Sequence, residues 1–290
     1  MKPITPSRNA LYEQVTAQII QQLEQGKIPW IKPWIQGIPP TNLISKNPYH
    51  GINHLLLSLT SFDSPYFLTY KQAKELGGYV RASEKAFRII YWKLNRVKVT
   101  DPDTLMETEK VIPLLRAFWV FNVTQCNDIP ADKIPALIKP DCFNPIESAD
   151  AITKAMPNSP KLEHSGNPKA YYAPHHDLIH MPDHTLFKST EGYYDTLFHE
   201  LVHSTGHEKR LDRDSLNGTK NDGSLLYDKE ELIAELGGAF LCATAGITKE
   251  IKNNAAYIQG WLSAFRDDSK MLIHAAAKAS HAANYILDIQ

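Results

Sequence analysis

The spacing of apolar residues in the first part of the chain predicts helices followed by strands. Apolar residues recur three and four positions apart in "NALYEQVTAQIIQQLEQ" (9–25), the period of one helix face, and Gly26 follows as a stop. Shorter helices are predicted for "INHLLLSLTSF" and "TYKQAKELGG". Strands are predicted where β-branched and aromatic residues gather, in "AFRIIYWKL" and "VIPLLRAFWVFNV" (111–123). We therefore expect a small α+β domain with an antiparallel sheet.

Proline density rises in the middle of the chain, with four prolines in "CNDIPADKIPALIKPDCFNPIE". Because proline interrupts helices and central strands, this stretch is interpreted as a linker between two domains. The predicted division is 1–125, linker 126–146 and 147–290. Helical spacing returns in "EGYYDTLFHELVHSTG", in "YDKEELIAELGGAFLCATAG" and over most of 252–285, whereas "AYYAPHHDLIHMP" predicts two strands joined by a turn.

The net charge of −1 hides an asymmetry along the chain. Residues 1–100 carry 13 Lys and Arg against 5 Asp and Glu, whereas the remaining 190 carry 18 against 27. A positive excess of this kind indicates a polyanionic partner for the first part, although chance surface charge would give the same count. The three cysteines show no CxxC spacing, and we find neither a signal-peptide core nor an apolar run of about 18 residues. We expect a cytoplasmic protein without a membrane span.

The stretch "LFHELVHSTGH" (197–207) carries the strongest signal for chemistry. His199 and His203 are four residues apart and share one face of a helix, so both imidazoles can bind the same ion. Glu200 lies about 100° round the helix axis, where its carboxylate can act as general base on a metal-bound water. We predict a zinc site of the hydrolase type; Mn2+ or Co2+ would suit the same ligands. The alternative is a chance HExxH on an ordinary helix.

A catalytic zinc needs a third protein ligand. His207 is unsuitable, because on a continuous helix it would lie about 12 Å from His199. The longer motif HExxHxxGxxH needs a histidine where Lys209 stands. The acidic pair in "EELIAE" remains. We predict Glu231 as the third ligand and Glu235 as the acceptor for the second ring N–H of a ligand histidine, the alternative being a solvated acidic face.

Such a site supports hydrolysis of a protein or peptide. Zinc and Glu200 would activate water, and a nearby donor would stabilise the oxyanion. Tyr172, His207 and Tyr227 are candidates for that donor, and spacing does not choose among them. The strand predicted before the metal-site helix could hold an extended peptide by main-chain pairing.

Cationic and aromatic residues alternate in the basic first part. In "IPWIKPWIQ", two prolines exclude a regular helix and present two tryptophans on an extended loop. Single-stranded nucleic acids are bound by cationic grooves with aromatic faces on which bases stack. The predicted contacts are Trp30, Lys32, Trp34, Tyr49, Lys71, Lys74, Arg81, Lys85 and Arg88. We expect sequence-tolerant, salt-sensitive binding, unless the tryptophans fill a small core and the charges form a solvated face.

Several segments together resemble the ArdC-type antirestriction proteins: "QLEQGKIPWIKPW", "NPYHGINHLLL", "FLTYKQAKELGGYVRASEKAFRIIYWK", "HELVHSTGHEKRLDR" and "EELIAELGGAFL". The first three also resemble the N-terminal module of TraC-type primases. The resemblance implies an N-terminal single-stranded-DNA-binding domain, a C-terminal zincin-like metallopeptidase domain, and protection of incoming plasmid DNA from restriction during conjugation.

By motif position, the resemblance supports His199, His203 and Glu231 as metal ligands and Glu200 as base. It also supports the Trp30–Trp34 loop and the Lys71–Arg88 region as DNA contacts. The chain departs from the expected pattern at "ASEK" (82–85), where a more basic, glycine-containing turn is expected.

Three hypotheses of function follow. The first is a two-domain antirestriction protein that binds single-stranded DNA and carries a metallopeptidase-type site. The second is a cytoplasmic zinc metallopeptidase whose DNA binding is incidental. The third is a DNA-binding protein in which the metal is purely structural.

Overall fold

The computed structural model describes residues 8–25, 28, 38–60, 62–100, 107–136, 145–217, 223–247 and 255–289. The helices are α1 (Arg8–Glu24), α2 (Gly51–Ser58), α3 (Tyr70–Glu75), α4 (Pro145–Ala155), α5 (Thr190–Ser204), α6 (Asp214–Asn217), α7 (Gly223–Ala245), α8 (Ala255–Asp267) and α9 (Met271–Ile286). The strands are β1 (Thr41–Asn42), β2 (Tyr66–Leu68), β3 (Tyr79–Val80), β4 (Phe87–Thr100), β5 (Glu107–Asn122), β6 (Cys126–Asn127), β7 (Lys161–Ser165), β8 (Tyr171–Ala173) and β9 (Leu178–Pro182).

The described residues form two compact units. The larger lies within Met1–Thr41, Asn47–Pro65 and Ala136–Gln290, and the smaller within Asn42–Lys46 and Tyr66–Pro135. The units do not follow the sequential division at 125 and 146, because α1 packs on α8 and α9, and α2 packs on α9. The first part of the predicted linker, up to Pro135, belongs to the smaller unit, and residues 137–144 lie outside the described residues.

The smaller unit contains a four-stranded sheet in which β2, β5 and β4 pair antiparallel, whereas β1 runs parallel to β2. Its strand order is β1-β2-β5-β4, and the pairing of β4 with β5 runs from Phe87 opposite Val120 to Thr100 opposite Glu107. Helix α3 begins at a capping box, since the Thr69 hydroxyl accepts the N–H of residue 72 while the Gln72 side chain accepts that of residue 69. The predicted α+β character with a small antiparallel sheet is confirmed.

The larger unit is built mainly from helices around a common core. Helix α1 buries one face completely, through Tyr12, Val15, Ile19 and Leu23, which are the positions that its apolar spacing predicts. Helix α7 packs on α5 and α9 and supplies much of the remaining core. Among the helices that the structure describes, none combines the length and apolar character needed to cross a membrane.

A three-stranded sheet of order β7-β9-β8 contacts α5. The predicted strand, turn and strand are confirmed as β8, a single 3-10 turn and β9, which pair antiparallel. Strand β7 was not predicted. It runs parallel to β9, and all five of its residues are exposed, so it lacks the apolar alternation by which strands are recognised.

Candidate metal centre

Helix α5 positions both histidines of the HExxH motif. It begins at Thr190 and is capped by Ser189, whose hydroxyl accepts the N–H of Gly192 at 3.0 Å. Leu197, Phe198, Leu201 and Val202 are almost fully buried, which fixes the rotation of the helix in its surroundings. His199 and His203 therefore project together from a partly open side, as their spacing predicts.

Helix α7 comes close to α5 because a glycine faces a branched side chain. A Cβ atom at Gly237 would lie 2.8 and 2.9 Å from the two methyl carbons of Val202. The neighbouring side chains of Leu232, Ile233 and Leu236 are at most 1% exposed and pack α7 against the core. This packing brings Glu231 to the two imidazoles.

Three side chains converge on one point. The Nε2 atoms of His199 and His203 are 3.1 Å apart. The Glu231 carboxylate places Oε1 3.3 Å from Nε2 of His203, and Oε2 3.5 Å from Nε2 of His199. Ligands bonded to a tetrahedral zinc at about 2.0–2.1 Å lie roughly 3.3–3.4 Å from one another. Donor types and separations thus both fit a single divalent ion.

The two other predicted carboxylates lie beside this triad. Glu200 is 8% exposed and follows His199 directly on α5. Glu235 lies one turn along α7 from Glu231, and its Oε1 is 3.8 Å from Nδ1 of His199. That separation exceeds hydrogen-bond distance, so Glu235 makes no direct hydrogen bond to this ring nitrogen.

A residue that sequence reasoning missed, Glu230, lies at the other histidine. Its Oε1 atom is 3.4 Å from Nδ1 of His203, and the side chain is 3% exposed. Arg213 holds the same carboxylate with two N–H groups, at 2.5 and 3.2 Å, and the Ser215 hydroxyl donates to it at 2.5 Å. A carboxylate in this position fixes the orientation of a metal-binding histidine.

Arg213 also ties the segment after α5 to the helix itself. Its guanidinium donates to the Thr205 hydroxyl at 2.5 Å and to the Val202 carbonyl at 2.7 Å. It is 6% exposed, so the pair of Arg213 and Glu230 is buried on both sides. Both residues lie close to the motifs in the sequence, since Arg213 is six residues beyond His207 and Glu230 adjoins Glu231, but neither has ligand spacing of its own.

The histidines and glutamates of this site shift one another's pKa values. Burial alone would lower the pKa of His203, but hydrogen bonds to Glu230 and Glu231 and the charges of neighbouring carboxylates raise it to about 10. Burial would raise the pKa of Glu231, but its hydrogen bonds to the two histidines hold it well below its usual range. The Glu231 carboxylate is therefore ionised beside a protonated His203 imidazole. A divalent cation can replace the imidazole proton there, since a ligating histidine must be neutral.

Two of the candidate oxyanion donors are engaged elsewhere. The Tyr172 hydroxyl donates to Asp177 at 2.8 Å and accepts from Arg210, whose guanidinium also binds Asp177. This network joins the β8–β9 turn to the C-terminal end of α5. Nδ1 of His207 accepts the main-chain N–H of Lys209 at 3.2 Å. The side chain of Tyr227 is not among those described.

The predicted DNA contacts are distributed over both units. Trp30, Lys32 and Trp34 lie outside the described residues. Tyr49 belongs to the larger unit, where it is half-buried and lines a mainly apolar cavity of about 160 Å³ together with His50, His54 and Phe240.

The other five predicted contacts lie in the smaller unit: Lys71, Lys74, Arg81, Lys85 and Arg88. Lys71 pairs with Glu75 at 3.4 Å, and Arg81 pairs with Glu84 at 2.5 Å, so part of their charge is compensated locally. Lys74 and Arg88 lie over the rings of Tyr70 and Trp119. In the turn where a glycine was expected, Ser83 has a φ of 68°, in the left-handed region that favours glycine.

The contact at Gly237 gives a first testable prediction. We expect Gly237→Ala to lower the free energy of unfolding by about 1–3 kcal/mol and to weaken metal binding, because the methyl group pushes α7 away from Val202. Gly260 on α8 is the matched control, since a Cβ there meets no atom within 4 Å. Gly260→Ala should stabilise the protein by up to about 1 kcal/mol. Urea unfolding and zinc titration of both variants check this; equal stability in both would contradict it.

Two family models match this chain, one in its N-terminal part and one in its C-terminal part. Residues 9–121 match the family model of the N-terminal domain of anti-restriction factor ArdC, and residues 147–278 match that of a zincin-like metallopeptidase. Two DNA primases TraC of Escherichia coli are 35% and 34% identical over 97% and 99% of this chain, which spans only 27% and 20% of their lengths. An uncharacterized protein, y4eC, of Sinorhizobium fredii is 32% identical over 98% of this chain and 93% of its own.

Solved structures give the same result. The metal-free crystal structure of the antirestriction protein ArdC from plasmid R388 is 36% identical, with a TM-score of 0.76 over 97% of this chain and 99% of that one. Its Mn(II)-bound structure is 35% identical, with a TM-score of 0.75 over 96% and 97%. The predicted α+β class with two family domains is thereby confirmed. This chain belongs to the family of ArdC antirestriction proteins, in which an ArdC N-terminal domain is combined with a zincin-like metallopeptidase domain.

Proposed function

We propose that this protein acts in the cytoplasm as an antirestriction protein, which binds single-stranded DNA and protects incoming plasmid DNA during conjugation. The observation that carries the proposal is the likeness to ArdC from plasmid R388 over nearly the full length of both chains. The match to the ArdC N-terminal domain and the similarity to DNA primases support the DNA-binding part.

We further propose that His199, His203 and Glu231 hold a zinc ion. The separations of 3.1, 3.3 and 3.5 Å among their ligand atoms support one ion, and two imidazoles with one carboxylate are a donor set common in catalytic zinc sites. The Mn(II)-bound structure of ArdC supports a divalent metal of some kind. When bound, such an ion supplies an activated water and polarises a carbonyl oxygen of a protein or peptide substrate.

The surrounding residues have separate tasks in this proposal. Glu200 accepts and returns a proton from its position next to His199, as a general base must. Glu230, held by Arg213, keeps Nδ1 of His203 protonated and directs Nε2 towards the ion. Glu235 adds a further negative charge near His199 and so favours a cation.

A Glu200→Gln variant separates catalysis from metal binding. We expect it to retain bound zinc, because Glu200 is not one of the three ligands, and to lose about 10²–10⁴-fold in any hydrolytic rate. Metal analysis and an assay with unfolded protein substrates measure the two effects. If this variant still protects plasmid DNA in cells, protection does not need hydrolysis, which would favour a purely structural metal.

The antirestriction role has its own test. A plasmid carrying sites for a restriction enzyme is transferred by conjugation into a restricting recipient, with or without this protein. The proposal predicts more transconjugants with the protein and no difference in a non-restricting recipient. In parallel, a labelled single strand is titrated at stepped salt concentrations. Binding that weakens steeply with salt is expected; no binding at low salt would favour a metallopeptidase with incidental charge.

A further inference from the structure

Exposed aromatic rings are concentrated in the smaller unit. Among the described residues, the aromatic side chains with large exposed surface are Tyr70, Tyr79, Tyr91, Phe118, Trp119 and Tyr171. All of these except Tyr171 belong to the smaller unit. The segments of that unit carry 12 Lys and Arg against 8 Asp and Glu, whereas the whole chain carries 31 against 32. Aromatic exposure and positive charge therefore coincide, although large apolar side chains are normally buried.

Two of these rings lie on opposite faces of the β4–β5 hairpin. Trp119 stands directly opposite Arg88, and Tyr91 stands directly opposite Arg116. Directly paired residues share a face of an antiparallel ladder, and successive residues alternate between faces. Trp119 and Arg88 thus occupy one face. Tyr91 occupies the other, where its ring meets that of Phe118 edge-on at 6.4 Å.

The Arg88 guanidinium lies over the exposed ring of Trp119. The guanidinium carbon lies 4.8 Å from the centroid of the indole ring, while the tryptophan remains 52% exposed. Indole and guanidinium both present broad flat faces on which a nucleobase can stack, and the guanidinium also attracts phosphate.

We propose that Trp119 and Arg88 form a base-stacking site for single-stranded DNA on one face of the β4–β5 hairpin. This inference rests on the proposed DNA-binding function and names the residues that carry it. A single strand fits better than a duplex, because only unpaired bases can turn their faces onto an exposed ring. The site reads no base edges, so it accepts any sequence and agrees with sequence-tolerant binding.

The test compares three variants in the full-length protein by fluorescence anisotropy with a labelled oligothymidylate. Trp119→Ala is expected to weaken binding about 5- to 160-fold, the range for loss of one stacked base, with an unchanged salt slope because no charge is removed. Arg88→Ala is expected to weaken binding and also to reduce the salt slope by roughly 0.7, the value for one phosphate contact on a single strand. Tyr91→Ala, an equally exposed ring on the opposite face, should bind within about twofold of wild type. Circular dichroism and thermal melting establish that each variant is folded.

The outcomes separate this inference from the function on which it rests. If wild type binds the oligonucleotide and Trp119→Ala binds equally well, the stacking site is wrong while DNA binding stands. If Tyr91→Ala weakens binding as much as Trp119→Ala, the loss is not specific to this face, and the assignment is again wrong. If wild type does not bind single strands at all, the proposed DNA-binding function is wrong, and the stacking site is wrong with it. A Trp119→Phe variant that keeps part of the affinity would support stacking and would show that the fold tolerates the change.

Discussion

Replacing His199 with alanine is expected to abolish metal binding, with a loss of affinity of more than about 100-fold. The reason is that two imidazoles and one carboxylate converge here, so the variant leaves only two protein ligands for the ion. Even loss of a residue that merely orients a ligand typically costs 10–100-fold in affinity. Zinc titration in a competing chelator measures the change directly.

His207→Ala is the matched control, because His207 continues the four-residue spacing of the motif but lies outside the triad. It should bind zinc as wild type does. Full metal occupancy in His199→Ala, or equal losses in both variants, would refute the ligand set. A readout based on metal content does not depend on finding a substrate, so the result bears on the site alone.

Replacing Arg213 with methionine is expected to lower the free energy of unfolding by about 3–5 kcal/mol. This is the usual cost of removing one partner from a buried ion pair, since the remaining charge loses its main partner. The Glu230 carboxylate is 3% exposed and would lose both N–H donors of the guanidinium. The Thr205 hydroxyl and the Val202 carbonyl would each lose the hydrogen bond that Arg213 donates to them. Metal affinity should fall too, because Glu230 would no longer be held at His203.

Arg266 provides the control for this prediction, because it pairs with Glu24 at 2.7 Å with both side chains about half exposed. Arg266→Met should change stability by no more than about 1 kcal/mol. The double variant Arg213→Met, Glu230→Gln should recover part of the loss, since the uncompensated charge is gone. Chemical denaturation of the metal-free proteins measures all three. Similar stability of the Arg213 and Arg266 variants would mean that the buried pair has no special role.

Much of the metal centre could be predicted from local patterns alone. Helical periodicity places His199 and His203 on one face whatever the rest of the fold does. Glu231 was predicted as the third ligand by elimination, because His207 and Lys209 were unsuitable and the acidic pair in "EELIAE" remained. The structure places the Glu231 carboxylate within 3.5 Å of both histidines, and its role as third ligand stays a prediction. The apolar face of α1 was predicted for the same reason, since burial of a regular helix follows its own period.

Contacts between distant segments could not be predicted in this way. Glu230 and Glu231 are neighbours on one helix, and only the packing of Arg213 from the segment after α5 decides that Glu230 is buried beside His203. The composition of the two compact units could not be predicted for a similar reason. The apolar faces of α1 and α2 indicate burial, but they do not say that the partners are helices more than 200 residues later. Strand β7 was not predicted because all of its residues are exposed, so it lacks an alternation of apolar and polar residues.

The proposed ligand set is tested most directly by a crystal structure of the zinc-loaded protein with anomalous scattering measured at the zinc edge. We predict one strong peak at about 2.0–2.2 Å from Nε2 of His199, Nε2 of His203 and a carboxylate oxygen of Glu231, with Glu230 still beside Nδ1 of His203. An ion bound by His207 or Glu230, or the absence of a peak between α5 and α7, would contradict the proposed ligand set.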